Sequence, residues 1–531
     1  MLSPRFQAMR DAMVWQVPET FNFGSDVVDR LAREADGPAL LWENEAGESA
    51  SFSFSEIARL TDRLANALMA RGIRKGDRVI VMLPRIPAWP LAMVATLKIG
   101  ALAVPCVEML TAGDLAYRIE NSGARGVICR GAHAAKFAGI ADDLPARLAV
   151  GGVEGGSAGW EDFDTAIAAA STHLEPAVMA AEDPAMMYYT SGSTGHPKGV
   201  VHAARAIYAW RMSAKYWLDL NPGDRIWCTA DTGWSKACTS VLIGPWSRGA
   251  CTLMYDGAFV PKKRLELLAK HRINVYCAPG TELFRILDED MASYDLAALR
   301  HTVTSGEAMS PIIGARWEKA TGAKVFEAYG QTETLMTILN IPGEPIHYGS
   351  MGLPAPGCEI EVIDEAGARC ADGVEGNVAM KTPNPQLMLG YWKDEEKTRS
   401  RFIGDWYLTG DRAARDADGY FWFAGRDDDL INSAGYRIGP MEVENALLQH
   451  PSVQECAVVG WPDAERGEIV KGFVVLREGF EPSDALVADL QNHCKRVTAP
   501  YKYPRAIGFI DALPRTLTGK IRRRDLKPAK S

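Results

Sequence analysis

The sequence predicts an α/β protein: a large N-terminal domain of α/β sheets with a β-rich subdomain, followed by a small α+β C-terminal domain. Three observations predict it. Apolar runs alternate with amphipathic segments from Phe52 to about Phe423, β-type alternation takes over beyond Ser350, and a fresh mixture of helical and extended patterns follows an acidic break at Asp427-Asp428-Asp429. Strands alternating with helices favour parallel sheets, because a parallel connection needs a crossover. With 531 residues the chain has room for several average domains, or for one large domain and a smaller companion. The expected domains are 1–425 and 426–531.

Each element rests on its own pattern. Arg78–Leu83 and Gly126–Cys129 read as short apolar strands, with the helical stretch Trp89–Ile99 between them. Ala185–Met187 reads as a strand, and a long helical pattern starts near Val200. Arg225–Thr229, Cys251–Tyr255, Val275–Ala278 and His301–Thr304 read as further strands, interleaved with helices such as Lys262–His271 and Ile312–Ala320. Lys324–Phe326 reads as a strand running into a polar loop at 327–333, a place where α/β folds often put ligand sites. Glu359–Ile363 and Asn377–Lys381 alternate around turn signals such as Asp372-Gly373, hence the β-rich subdomain. Beyond the break, Met441–His450 and Asp484–Val497 are helical and Cys456–Val459 and Gly472–Leu476 extended. A stretch of about 100 residues suits a separate domain.

Composition narrows the function classes. Hydrophobic residues at 47% and charged residues at 24% are ordinary for a soluble globular chain. A formal net charge of −9 disfavours nucleic acid or a membrane surface as partners, and the one short basic cluster, Arg522–Arg524, reads as solvated surface. Local basic pockets for nucleotides remain allowed. No run of about 20 apolar residues predicts a membrane span, and residues 1–17 show no secretory signal pattern. The ten cysteines form no Cys-x-x-Cys pair, and the nine histidines show no metal-ligand spacing. Most cysteines read as small buried hydrophobes, and a reducing, cytoplasmic setting fits.

The chemistry concentrates at residues 188–199, Tyr-Tyr-Thr-Ser-Gly-Ser-Thr-Gly-His-Pro-Lys-Gly. Thr190, Ser191, Ser193 and Thr194, with Gly192, Gly195 and Gly199, surround Lys198. Glycines let backbone N–H groups converge on an anion, hydroxyls add donors, and the lysine adds charge. Flexible connectors share this composition. A P-loop is excluded, because Pro197 stands where the glycine before the lysine belongs and Gly199 where Ser/Thr belongs. Further along come Ser305-Gly306-Glu307-Ala308, then Glu327-Ala328-Tyr329-Gly330-Gln331-Thr332-Glu333, Thr409-Gly410-Asp411, Gly425-Arg426, and Pro514 followed by Gly519-Lys520. Each alone is a common surface sequence; their order and distances are what count.

Together these segments resemble the adenylate-forming superfamily of acyl-CoA synthetases, luciferases and peptide-synthetase adenylation domains. Phe21-Asn22-Phe23, Leu83-Pro84-Arg85, Asp231-Thr232-Gly233-Trp234, Ile431–Pro440 and Ala499–Arg505 are most similar to medium-chain acyl-CoA synthetases. The resemblance implies an AMP-forming carboxylate–CoA ligase. The acid attacks the α-phosphate of ATP, and the CoA thiol then displaces AMP from the acyl-adenylate. It implies a phosphate grip at Thr190–Gly195 with Lys198. Gly306, Glu307 and Ala308, together with Glu327, Ala328, Tyr329, Gly330 and Gln331, would line the adenine and acyl sites. Thr332 would touch the α-phosphate, Glu333 would bind Mg²⁺, and Asp411 and Arg426 would take the ribose. Lys520 would bridge the substrate carboxylate and the α-phosphate, completing a catalytic set with Glu333 and Thr190.

The same resemblance makes the C-terminal domain a mobile lid hinged at Asp428. After rotation, Ala434, Gly435 and Tyr436 would line the pantetheine path, and Arg437 would meet phosphate in one of the two states. Arg466 and Lys502 are the candidates for the nucleotide end of CoA, with ordinary surface charge as the alternative. Trp234 and Gly330 would bound the acyl pocket. Relatives that take acetate carry tryptophan where Gly330 stands, so the glycine points to medium-chain, branched or aromatic acids. The segment Ala278-Pro279-Gly280-Thr281-Glu282-Leu283 departs from the family pattern near that pocket, and Glu282 leaves the acid undecided. Ser235 stands where amino-acid adenylation domains have an aspartate, which disfavours amino acids. The alternative activity is loading of a carrier-protein phosphopantetheine. The expected partners are ATP, CoA and a small carboxylic acid, with a lysine acetyltransferase or deacetylase acting on Lys520 as a regulator.

Overall fold

The computed structural model describes residues 3–153, 159–190, 197–306, 309–426, 431–433, 436–463, 467–498, 502–515 and 521–528. The chain divides into two units, Leu2–Glu359 with Lys381–Asp405, and Ile360–Met380 with Trp406–Ser531. The larger unit holds an eight-stranded and a nine-stranded sheet.

The eight-stranded sheet runs, in space, Gly390–Tyr391, Lys198–Ala203, Pro184–Thr190, Leu102–Pro105, Arg78–Met82, Ala124–Arg130, Ala146–Val150 and Glu161–Asp162. From Pro184–Thr190 onward the neighbours are parallel. The crossover from Arg78–Met82 to Leu102–Pro105 is the helix Ala88–Lys98, every residue of which is buried. A helix apolar around its whole circumference belongs in the interior. Its last residue, Lys98, is fully buried, with Asp29 Oδ1 at 2.6 Å and Asp62 Oδ1 at 2.5 Å supplying the opposing charge.

The nine-stranded sheet runs Leu353–Pro354, Leu335–Leu339, Lys324–Gln331, His301–Ser305, Val275–Cys277, Arg225–Cys228, Cys251–Asp256, Pro38–Asn44 and Ser49–Ser53. Its six central strands are parallel. Helices such as Pro261–Lys270 and Pro311–Thr321 separate them along the chain, and a core of Trp227, Leu253, Leu265, Tyr276 and Trp317 lies against the sheet. Strand ends and the residues after them therefore gather Thr229, Ser305, Gly306 and the 329–333 segment, as expected for a ligand site in an α/β fold.

Two expectations are corrected. The segment from Val200 is not the start of a helix: Lys198–Ala203 is a strand, and the helix begins at Ala204. Local apolar periodicity loses here to pairing on both edges, with Pro184–Thr190 on one side and Gly390–Tyr391 on the other. Likewise 327–331 is not a loop. The strand Lys324–Gln331 continues through it, because Ala328 pairs with Ser305 on one edge and with Leu339 on the other.

In the smaller unit, Ile360–Ile363 and Gly376–Lys381 pair antiparallel, as do Trp406–Arg415 and Phe421–Arg426. This is the β-rich region expected from the alternation beyond Ser350. Further on, Val453–Asp463 and Gly467–Leu476 form a long antiparallel pair, joined by Ile431–Ser433, Tyr436–Ile438 and Ala506–Phe509. Helices Pro440–Leu447 and Asp484–Val497 accompany a core of Ile431, Val443, Leu447, Val458, Val474 and Leu490.

Candidate active site

The antiparallel pair Pro184–Thr190 and Lys198–Ala203 carries the ends of the proposed phosphate segment, with Thr190 opposite Lys198 in register. Ser191, Gly192, Ser193, Thr194 and Gly195 lie outside the described residues. Lys198 Nζ sits 5.8 Å from the centroid of the Tyr391 ring. Partial burial and the neighbouring Lys397 ammonium push its pKa below the usual lysine value. Gly199 packs closely: an added Cβ would press on Trp392 Cβ at 3.1 Å and on the Met187 sulfur at 3.2 Å.

Segment 388–392 ties this pair to the second signature. Met388 N donates to Glu333 O at 2.9 Å, Leu389 N to Val201 O at 2.8 Å and Trp392 N to Gly199 O at 2.7 Å. Tyr391 is buried, and its hydroxyl donates to Glu333 Oε1 at 2.8 Å. Thr332 is anchored from the other strand: its carbonyl oxygen accepts from His202 Nε2 at 2.7 Å. The Thr332 hydroxyl lies 3.5 Å from that of Ser235. Burial pushes the His202 imidazole down to about 4, despite that hydrogen bond. It is therefore a neutral donor at physiological pH.

Gly330 has no room for a side chain. An added Cβ would lie 1.8 Å from the Leu335 carbonyl oxygen, where the strand register shifts between Tyr329 and Gly330. Trp234 is held in a turn, with Asp231 O accepting from Trp234 N at 3.2 Å and Asp231 Oδ1 from Gly233 N at 2.9 Å. The Thr232 hydroxyl donates to Leu83 O, and a Cβ on Gly233 would come within 2.4 Å of Val107 N. Trp234 then packs against the core that includes Val107 and Tyr189. Lys236 Nζ donates to Ser305 O at 3.1 Å, at the strand end that precedes Gly306. Glu327 and Ala328 are buried in their strand, Tyr329 and Gln331 are half-buried, and Glu307 and Ala308 lie outside the described residues.

Glu282 is not a loose charge beside a pocket. It accepts from buried Arg264 Nε at 3.0 Å and from the Tyr276 hydroxyl. Arg264 also lies over the rings of Trp227 at 5.0 Å and Phe259 at 5.4 Å. This side chain fixes helix Gly280–Ile286 to its sheet.

In the smaller unit, Asp411 is buried and stands opposite Arg426 in register, and its backbone N donates to Thr409 Oγ1 at 3.2 Å. Asn432 faces Arg437 and Ser433 faces Tyr436 in a short strand pair. Lys502, a candidate CoA contact, is ion-paired with Glu442. Pro514 O accepts from Arg522 N at 2.8 Å, and Arg515 bridges Ile521. Lys520, Asp428, Ala434, Gly435 and Arg466 lie outside the described residues. Among the described residues, no group of three or more His, Cys, Asp or Glu is placed to hold a metal ion, and no helix is long and apolar enough to cross a membrane.

Sequence reasoning missed His202 and Tyr391. A histidine within the apolar run Gly199–Ala203 was the available signal for the first; Tyr391 had none, being far in sequence from both groups that it touches.

The AMP-binding enzyme family matches residues 27–392, and the AMP-binding enzyme C-terminal domain matches residues 442–520. The chain is 41% identical over 514 residues to the uncharacterized acyl–CoA ligase YtcI of Bacillus subtilis (strain 168), covering 96% of each. It is 38% identical over 539 residues to the mitochondrial acyl-coenzyme A synthetase ACSM3 of Homo sapiens, covering 98% of this chain and 92% of the relative. Among solved structures it resembles the anthranilate CoA ligase AuaEII in complex with anthranoyl-AMP, with a TM-score of 0.87, 32% identity and coverage of 96% and 97%. A benzoate CoA ligase from Burkholderia xenovorans LB400 gives a TM-score of 0.84, 30% identity and coverage of 95% and 99%. The chain belongs to the AMP-binding enzyme family. It is an acid–thiol ligase of the acyl-CoA synthetase type.

Two outcomes follow from this geometry. Glu282→Ala leaves buried Arg264 without its counter-charge, and chemical denaturation should register a loss of about 3–5 kcal/mol. His202 stays neutral in the folded chain but takes up a proton in the unfolded chain below its ordinary value of 6.5. The unfolded state thus binds more protons between about 4 and 6.5, and stability falls as pH falls through that window. From pH 7 to pH 5 the wild type should lose about 2 kcal/mol more than His202→Gln, read from denaturation at both pH values.

Proposed function

We propose that the enzyme joins a medium-chain, branched or aromatic carboxylic acid to CoA, cleaving ATP to AMP and pyrophosphate through an acyl-adenylate. The observation that carries this reading is the bonded network of Lys198, Tyr391, Glu333, Thr332 and His202, which links two segments distant in sequence. Lys198 and the Thr190 hydroxyl would hold the β- and γ-phosphates, and the Thr332 hydroxyl the α-phosphate. The acid's oxygen attacks the α-phosphorus, pyrophosphate leaves, and positioning supplies much of the rate. Glu333 would hold Mg²⁺: a single hard carboxylate alongside phosphate oxygens suits this ion, which screens phosphate charge when bound. Asp411 and Arg426 would take the ribose hydroxyls. Lys520 would meet the charge that builds at the α-phosphate and give way, through the hinge at Asp428, before the CoA thiol attacks the acyl carbon. Ala434, Gly435 and Tyr436 would then line the pantetheine path. Lys502 would exchange Glu442 for a CoA phosphate.

The likeness to ligases named for anthranilate and benzoate supports ring-bearing acids among the substrates. A pyrophosphate-release screen over straight, branched and aromatic acids, with free CoA or a phosphopantetheinylated carrier protein as acceptor, tests this. Two additional buried methylenes are worth about 1.6 kcal/mol, so the best acid should exceed acetate in kcat/KM by about tenfold or more. Acetate as the best acid, or acylation of the carrier protein alone, would contradict it. Lys520→Ala should slow adenylate formation by about 100-fold or more, while thioester formation from preformed acyl-adenylate persists. Equal loss of both half-reactions would remove the role given to Lys520.

A further inference from the structure

We propose that Tyr391 is the positioning residue for the first half-reaction, orienting the Glu333 carboxylate and holding it at a fixed span from Lys198. The inference rests on the reading of Glu333 as the Mg²⁺-holding group. Tyr391 lies in none of the signature segments, and strand pairing brings it to the site.

Gly390 and Tyr391 pair with Val201 and Val200, so the register that sets Lys198 also sets Tyr391. The backbone is fastened at Tyr391 and at the next residue: Tyr391 N donates to Thr398 Oγ1 at 2.9 Å, and Trp392 N to Gly199 O at 2.7 Å. The side chain is 8% exposed, so the ring has little freedom to swing. Its hydroxyl meets Glu333 Oε1 at 2.8 Å, and its face lies 5.8 Å from Lys198 Nζ, within cation–π range. A phenol hydrogen-bonded to one carboxylate oxygen removes that group's rotational freedom and fixes where its other oxygen points. Partners of this kind, one bond removed from a metal, typically change metal affinity 10- to 100-fold when removed. One ring therefore fixes the spacing between a would-be metal-holding anion and a would-be phosphate-holding cation before either meets ATP.

Tyr391→Phe deletes the hydroxyl and keeps the ring. Mn²⁺ binding, followed by electron paramagnetic resonance with a non-hydrolysable ATP analogue present, measures the effect without turnover. Tyr391→Phe should weaken Mn²⁺ by about tenfold or more, with a melting temperature near that of the wild type. Glu333→Gln should weaken it as well, and adding Tyr391→Phe to Glu333→Gln should bring no further loss, because the hydroxyl acts through the carboxylate. Wild-type Mn²⁺ affinity in Tyr391→Phe alongside a weakened Glu333→Gln overturns the inference and leaves the role of Glu333 standing. Additive losses in the double variant overturn it too. Wild-type affinity in Glu333→Gln overturns the role of Glu333 itself. Should Tyr391→Phe fold poorly, Thr398→Val, which frees the Tyr391 backbone and leaves the hydroxyl in place, should give a smaller Mn²⁺ loss in the same direction; unchanged affinity there counts against the inference.

Discussion

Lys198–Ala203 is hydrogen-bonded along both edges, to Pro184–Thr190 and to Gly390–Tyr391, and the geometry of the larger unit's site depends on that double pairing. A strand bonded on both edges cannot slip by one residue without turning every side chain to the opposite face. Lys198 and His202 are four residues apart in an extended chain and share one face. One approaches the Tyr391 ring; the other holds the Thr332 carbonyl. Backbone bonds, rather than a web of charged contacts, therefore bring the two signatures into register.

The division between neutral and charged anchors has a physical logic. His202, buried and uncharged, fixes backbone at a modest desolvation cost and adds no permanent charge to the strand that carries Lys198. Charge gathers instead around half-buried Lys198, where Lys397, Arg401, Asp394 and Glu333 all act on it. Groups that water still reaches can adjust when a polyanion arrives. The deeply buried ion pairs, Lys98 with Asp29 and Asp62 and Arg264 with Glu282, hold helices in place.

Much of this was legible in the amino-acid order. The strand patterns at Arg78–Leu83 and Gly126–Cys129, with the helical stretch Trp89–Ile99 between them, announced a parallel sheet, and Asp484–Val497 matched its helical pattern to the residue. The signature residues announced the reaction class. What stayed hidden depended on partners outside the segment being read. Val200 reads as helical until Gly390–Tyr391 supplies an edge, 327–331 reads as a loop until Leu335–Leu339 folds back on it, and Glu282 reads as an odd substitution until Arg264 and Tyr276 are beside it. Periodicity records one segment at a time, whereas these contacts join different segments, some close in sequence and some far apart.

Gly330 has a consequence for how such an enzyme can diversify. With the Leu335 carbonyl oxygen 1.8 Å from where a Cβ would stand, the position is closed to single-residue exploration. A lineage or a laboratory placing any side chain there would have to relocate the returning strand first. The conformation at this position is thus written into main-chain path, and it should drift more slowly than one held by side chains alone.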